Sequence, residues 1–89
     1  MIRKKLTIRN KYGLHTRAAV KLVTLAKKFQ SKVELIIHKK KADCKSIMAL
    51  MLMGVSKGTS INLVVAGSDE EEAAKAIIQL IRDKFGEEE

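Results

Sequence analysis

The sequence predicts an α+β fold in which a four-stranded antiparallel sheet carries three helices on one face. Two observations lead to this prediction. Short segments that alternate apolar and polar residues, as half-buried strands do, are interleaved with stretches of helical spacing. With 89 residues, the chain can bury one modest core, so residues 1–89 are interpreted as a single domain. The predicted order is β-α-β-β-α-β-α, which leaves the order of the strands within the sheet open.

The first strand and the first helix are predicted from the start of the chain. Ile2, Leu6 and Ile8 alternate with polar residues, and Lys4 is the one departure from this pattern. A turn over residues 10–13 leads into a helix that extends to about residue 28. The apolar face of this helix consists of Ala19, Leu22, Val23 and Ala26.

The middle of the chain predicts two strands and a short helix. Val33, Leu35 and Ile37 share one face of the second strand, and a third strand covers about residues 40–43. The join at residues 38–40 lacks the Asn-Gly sequence of a tight hairpin. Ser46 then opens a short helix as its N-cap, and Gly54 closes it.

The last strand and helix complete the predicted fold. Ile61, Leu63 and Val65 share a face of the fourth strand. The acidic run of residues 69–72 then places negative charge at the start of the last helix, where the helix dipole favours it. This helix is predicted to bury Ala73, Ala74, Ile77, Ile78, Ile81 and Phe85.

Composition excludes several classes of protein. No apolar run approaches the roughly 18 residues that a membrane span requires. The charged start of the chain is followed by no apolar stretch of signal-peptide length. Cys44 is the single cysteine, so neither a disulfide framework nor a thiolate metal cluster can form. We therefore expect a location in the cytoplasm, no membrane insertion, and neither a metal nor a cofactor.

Charge is distributed unevenly along the chain. Residues 1–46 contain 14 Lys or Arg against two acids, a balance of +12, whereas residues 47–89 contain four against eight, a balance of −4. This asymmetry indicates a basic face that would attract an anionic partner. The partner could be nucleic acid, an acidic protein or a phosphorylated group. Alternatively, the basic residues form a solvated surface that binds no partner.

Residues 13–19 combine the chemistry needed to bind and transfer an anion. They lie where a loop becomes a helix, and the first amide groups of a helix have no intrahelical acceptor. His15 offers a ring nitrogen as nucleophile, Arg17 offers a forked donor for phosphoryl oxygens, and Gly13 allows a close turn. On position alone, His15 could equally be an ordinary polar residue at a helix start.

The segment Gly-Leu-His-Thr-Arg-Ala-Ala at residues 13–19 resembles the phosphohistidine signature of the HPr family, usually Gly-Leu-His-Ala-Arg-Pro-Ala. Lys-Ser-Ile-Met-Ala-Leu-Met at residues 45–51 resembles the second signature of that family, around its regulatory serine. The two segments are separated as they are in the family. The predicted element order also agrees with the open-faced β-sandwich of the family over the whole chain.

This resemblance implies a phosphocarrier of the phosphoenolpyruvate-dependent phosphotransferase system rather than an independent enzyme. His15 would accept a phosphoryl group from phosphorylated enzyme I and donate it to enzyme IIA domains, for sugar uptake or in a regulatory nitrogen-type branch. Arg17 would stabilise the phosphoryl group. Ser46 either serves only as a helix N-cap or, as the resemblance implies, is also phosphorylated by an HPr kinase/phosphorylase. We also expect a monomer. Ala18 departs from the family, which usually has proline in this first helical turn.

The helix after Ser46 contains no polar side chain over residues 47–53. A helix packed on a sheet buries one face, so part of this apolar surface should remain exposed and suit the docking of partner proteins. The alternative is that loops cover it. The expected docking residues are Ile47, Met48, Met51 and Leu52.

Two other functions compete with this interpretation. A basic nucleic-acid-binding α/β module would explain the charge of residues 1–46, but the predicted strands carry no stacking aromatic residues. An enzyme using His15 and Ser46 as base and nucleophile would need an orienting acid, and none is evident near either segment. We therefore expect protein partners and no nucleic acid.

Overall fold

The computed structural model, which describes residues 1–87, contains a four-stranded antiparallel sheet and three α-helices. This confirms the predicted fold class and order of elements. No helix among these residues is long and apolar enough to cross a membrane. The elements are β1 (Ile2–Thr7), α1 (Thr16–Ala26), β2 (Lys32–Ile37), β3 (Lys40–Asp43), α2 (Ile47–Leu52), β4 (Ser60–Ala66) and α3 (Glu70–Arg82), followed by a 3₁₀ turn (Lys84–Gly86).

The strands lie in the order β1-β4-β2-β3, so the last strand of the chain is central. Leu63 of β4 pairs with Lys4 on one side and with Leu35 on the other. Ile61, Leu63 and Val65 are fully buried on the face that the helices cover, as predicted. Val64 on the opposite face is nearly as buried, which fits a strand that has a neighbouring strand along each of its edges.

Lys4 interrupts the alternation of β1 because this strand forms an edge of the sheet. Its pairing with Leu63 places Lys4 on the helix-covered side. There it borders a groove next to Ala74 and Ile78 of α3, and its side chain remains exposed. A lysine at an edge can pack its aliphatic stem against apolar neighbours while its ammonium group stays in water.

α1 buries the predicted apolar face and, in addition, Ala18. The helix ends at Ala26, two residues before the predicted end. The amide groups of Lys28 and Phe29 bond the carbonyls of Leu25 and Ala26, three residues back, so the last turn tightens and the α-helix stops.

The join between β2 and β3 is a two-residue turn despite its unusual sequence. His38 adopts a φ of +54°, a left-handed conformation that histidine tolerates better than most non-glycine residues. The third strand covers residues 40–43, as predicted.

α2 begins and ends as predicted. The Ser46 hydroxyl accepts a hydrogen bond from the Ala49 amide at 3.1 Å, and Gly54 follows the last turn with a φ of +63°. Four apolar side chains of this helix are exposed: Ile47 by 41%, Met48 by 72%, Met51 by 39% and Leu52 by 79%.

The prediction that Phe85 belongs to the last helix is wrong. α3 ends at Arg82, and Lys84, Phe85 and Gly86 then adopt φ values of +56°, +57° and +78°. Phe85 is nevertheless buried. The spacing of four residues from Ile81 therefore predicted the burial of Phe85 correctly, although a left-handed turn rather than a helix achieves it.

Candidate functional site

The loop before α1 is fixed to the segment that follows α2. The Gly13 amide donates to the Asn10 carbonyl at 3.1 Å, and the Leu14 amide donates to the Val55 carbonyl at 3.0 Å. Gly13 has a φ of +62°, and a Cβ at this position would lie 2.4 Å from the Val55 carbonyl oxygen. Only glycine fits this close approach, which brings His15 to the start of α1.

His15 is the N-cap residue of α1, with extended backbone angles. Its carbonyl accepts the Ala19 amide at 2.8 Å, which is the first bond of the helix. The amides of residues 16–18 consequently have no intrahelical acceptor. The imidazole makes no capping bond of its own and is 26% exposed, so a partner protein can reach the ring at the positive end of the helix dipole.

A carboxylate that the sequence did not indicate contacts this ring. Oε2 of Glu87 is hydrogen bonded to Nε2 of His15, across 72 residues of sequence. Oε1 of the same carboxylate accepts a bond from the Asn10 side-chain amide at 3.1 Å. The expectation that no acid orients His15 is therefore wrong. Glu87 belongs to a run of glutamates at the end of the sequence, and no pattern distinguishes it there.

The surroundings of Glu87 favour its ionised form. Burial acts to raise the pKa of Glu87, but hydrogen bonds from Asn10 and His15 and the nearby positive charges of His15 and Arg17 lower it. The combined effect is a pKa below the ordinary value of a glutamate. The group facing the ring is thus a carboxylate near neutral pH, which accepts hydrogen bonds and cannot donate them.

Arg17 lies in the first turn of α1 with its side chain exposed. Within residues 1–87 its guanidinium group makes no hydrogen bond or ion pair, although its charge is close enough to influence Glu87. Arg17 can therefore turn its donors toward an anion bound at His15.

Ser46 does not contact His15 in the described chain. Its hydroxyl is occupied as the cap of α2, which removes the structural basis for a base–nucleophile pair. Exposed apolar and aromatic side chains also occur outside α2. Val20 on α1 is 42% exposed, and Tyr12, whose ring meets His15 edge-on at 6.0 Å, is 68% exposed.

Cys44 is buried. Burial raises the pKa of this thiol strongly, and the charges of Asp43 and Glu34 raise it further. The thiol therefore stays protonated and unreactive near neutral pH. Over residues 1–87, no cluster of three or more His, Cys, Asp or Glu side chains is arranged to hold a metal ion.

Comparison with known proteins identifies the family. The family model described as "PTS HPr component phosphorylation site" matches residues 2–83. The chain belongs to the HPr family. The phosphocarrier protein HPr of Cupriavidus necator is 42% identical over 89 residues, which cover 100% of both chains. A crystal structure of HPr-C-His from Thermoanaerobacter tengcongensis superposes with a TM-score of 0.96 at 46% identity and covers 100% of both chains.

Membership of the HPr family confirms the resemblance seen in the two signature segments. HPr proteins are phosphocarriers of the phosphotransferase system and not independent enzymes. An HPr dimer from Thermoanaerobacter tengcongensis, 46% identical, also superposes, with a TM-score of 0.78 over 98% of this chain and 100% of that one. Because that HPr protein forms a dimer, the monomeric state expected for this chain stays a prediction.

The departure from the HPr signature at Ala18 can be tested by restoring proline. Ala18 is the third residue of α1, so its amide has no intrahelical acceptor. Ala18→Pro is expected to stabilise the fold by about 0.4–1 kcal/mol, because it restricts the unfolded chain without removing a hydrogen bond. Chemical denaturation measures the difference.

Ala19→Pro provides the matched control for this substitution. The Ala19 amide donates to the His15 carbonyl, so proline one residue later breaks a helical bond and should cost about 3 kcal/mol or more. A comparable loss in Ala18→Pro would show that the buried site of Ala18 cannot hold the proline ring.

Proposed function

We propose that this chain is a cytoplasmic phosphocarrier whose His15 accepts a phosphoryl group from phosphorylated enzyme I. It passes the group to enzyme IIA domains, for sugar uptake or in a nitrogen-type branch. The observation that carries the proposal is the accessible His15 imidazole at the N-cap of α1, beside free helix amides and Arg17. Residues 1–89 act as one phosphocarrier domain and work as a monomer.

The geometry supports a direct transfer between two proteins. Nε2 of His15 is occupied by Glu87, so Nδ1 is the nitrogen that attacks phosphorus. The bond between phosphorus and the donor atom of enzyme I breaks, and the donor atom keeps the electron pair of that bond. The amides of residues 16–18 and the Arg17 guanidinium then surround the negative phosphoryl oxygens. A carrier requires no substrate cavity, because the partner brings the phosphoryl group to the exposed ring.

Incubation of the purified protein with phosphoenolpyruvate and enzyme I tests the proposal. Intact-mass spectrometry should show the gain of one phosphoryl group, and peptide mapping should place it on His15. The modification should be lost in acid and persist in alkali, as a phosphoramidate does. An unchanged mass, or an acid-stable ester, would exclude the proposed function.

Replacement of Arg17 tests its part in the transfer. Arg17→Lys keeps the charge but removes the planar fork that contacts two phosphoryl oxygens at once. The lost hydrogen bond to a charged group corresponds to about 1.5–3 kcal/mol, so transfer should slow by roughly 10- to 150-fold. Quench-flow measurement with phosphorylated enzyme I gives the rate. Arg3→Lys, an exposed change on β1, is the control, and equal rates for the two variants would exclude a specific role of Arg17.

We further propose that the exposed apolar side chains of α2 form the docking surface for enzyme I and enzyme IIA. An HPr kinase/phosphorylase would control this surface by phosphorylating Ser46. The hydroxyl already faces the first turn of α2 as its cap. A phosphate there would satisfy the helix end and place charge next to Ile47 and Met48.

Ser46→Asp reproduces the charge of this modification. Stability should change by less than about 0.5 kcal/mol, since aspartate caps a helix as well as serine does. Docking must bury the new charge beside apolar side chains, which costs roughly 1–3 kcal/mol, so transfer should slow by about 5- to 150-fold. The transfer assay and chemical denaturation separate the two effects. Ser68→Asp adds the same charge at an exposed serine outside α2, and an equal rate loss in both variants would contradict docking at α2.

A further inference from the structure

The Glu87 carboxylate is held from two sides. One oxygen contacts Nε2 of His15, and the other accepts from the side-chain amide of Asn10. Asn10 is fully buried, and its Nδ2 also donates to the Gly13 carbonyl. If the side-chain amide of Asn10 were flipped, its oxygen would face two other acceptors, the Gly13 carbonyl and the Glu87 carboxylate, and no hydrogen bond could form. The side chain of Asn10 can therefore act toward Glu87 only as a donor, which suits a negatively charged partner.

The chain adopts an unfavourable backbone to bring Glu87 to this place. Lys84 and Phe85 both have left-handed φ values, which residues other than glycine rarely adopt. Burial of the Phe85 ring offsets this strain, as does the bond of 2.7 Å from Nζ of Lys21 to the Phe85 carbonyl. Both contacts anchor the turn to the body of the fold. The anchored turn therefore fixes the position from which the Glu87 side chain reaches His15.

The contact determines which nitrogen of His15 carries the hydrogen. A carboxylate only accepts, so Nε2 must be the protonated nitrogen of the neutral ring, and Nδ1 holds the lone pair. We infer that Glu87 is a positioning residue for phosphoryl transfer, orienting the His15 ring and fixing this tautomer. The inference rests on the proposed function of His15 and adds to it a residue outside both signature segments.

The carboxylate also has a role in the product of the transfer. The Nδ1–P bond forms as the bond from phosphorus to the donor atom of enzyme I breaks, and the donor atom keeps that electron pair. No proton leaves His15, so the ring becomes a phosphoimidazolium with its hydrogen still on Nε2. The negative charge of Glu87 next to this hydrogen stabilises the cationic ring.

Nitrogen NMR of the His15 ring tests the inference before any transfer occurs. At a pH where the ring is neutral, the wild-type protein should show the Nε2–H tautomer almost alone. Glu87→Ala should give a mixture of tautomers and slow phosphoryl acceptance about tenfold or more. Glu87→Gln keeps one acceptor oxygen for the two donors Asn10 and His15, so it should restore the tautomer preference and the rate only in part. Glu72→Ala removes an exposed glutamate of α3 and should change neither.

The two readouts separate the inference from the proposed function. An unchanged tautomer ratio in Glu87→Ala would overturn the inference, and so would an altered ratio with an unchanged transfer rate. A wild-type protein that accepts no phosphoryl group from enzyme I would instead refute the proposed function, while the NMR spectra would still decide whether Glu87 orients the ring.

Discussion

A His15→Asn variant is expected to accept no phosphoryl group from enzyme I while it keeps its fold. Asparagine is among the preferred N-cap residues, so α1 should begin normally and stability should change by no more than about 1 kcal/mol. The amide side chain offers no nucleophilic nitrogen, however, and the acceptor is lost. Intact-mass spectrometry after incubation with phosphoenolpyruvate and enzyme I measures the loss, and denaturation checks the fold.

The second histidine of the chain provides a matched control. His38 lies exposed in the turn between β2 and β3 with a positive φ, a conformation that asparagine also tolerates. His38→Asn should therefore be phosphorylated like the wild type. If the His15→Asn variant still gained a phosphoryl group, the acceptor would have to be another residue, and the site assigned here would be wrong.

Gly13→Ala is expected to destabilise the fold strongly. A Cβ at residue 13 would lie 2.4 Å from the Val55 carbonyl oxygen and 2.7 Å from Cα of Ser56, both backbone atoms. The left-handed φ costs about 1–2 kcal/mol for alanine, and the overpacking adds about 1–3 kcal/mol. We expect a loss of roughly 2–5 kcal/mol in chemical denaturation, together with slower phosphoryl acceptance, because His15 depends on this loop.

Gly54→Ala separates the two causes of this loss. Gly54 has nearly the same φ, +63°, but a Cβ there would have no neighbour within 4 Å. This variant should therefore lose only the roughly 1–2 kcal/mol of backbone strain. If the two variants were destabilised equally, the loop before His15 could move away from Val55, and the site would not be held as rigidly as the structure indicates.

The sequence was sufficient to predict the features that depend on local spacing. The limits of α2 follow from the capping chemistry of Ser46 and Gly54, and the exposure of Met48 and Leu52 follows from a helix that is apolar all round. The position of His15 at a helix start could likewise be predicted. Each of these depends on residues within one turn of each other.

Long-range contacts could not be predicted in the same way. The bond between His15 and Glu87 joins residues that are 72 positions apart, and neither residue type nor spacing distinguishes Glu87 from the other glutamates of its run. The left-handed turn at Phe85 was missed because a continued helix and the observed turn bury the same ring. The end of α1 at Ala26 was missed because hydrogen bonding and not side-chain periodicity stops that helix.

The central position of β4 determines how this protein can fold. Both neighbours of β4 precede it in the chain, and its pairing with β1 joins residues as distant as Ile2 and Val65. During synthesis, β1 has no partner until the chain has grown beyond Ala66, and the only earlier sheet contact is the β2–β3 hairpin. Pairings of such long separation slow folding, since the intervening loop must close first. A ribosome-bound chain that stops before residue 60 should thus expose its apolar strands to chaperones and proteases.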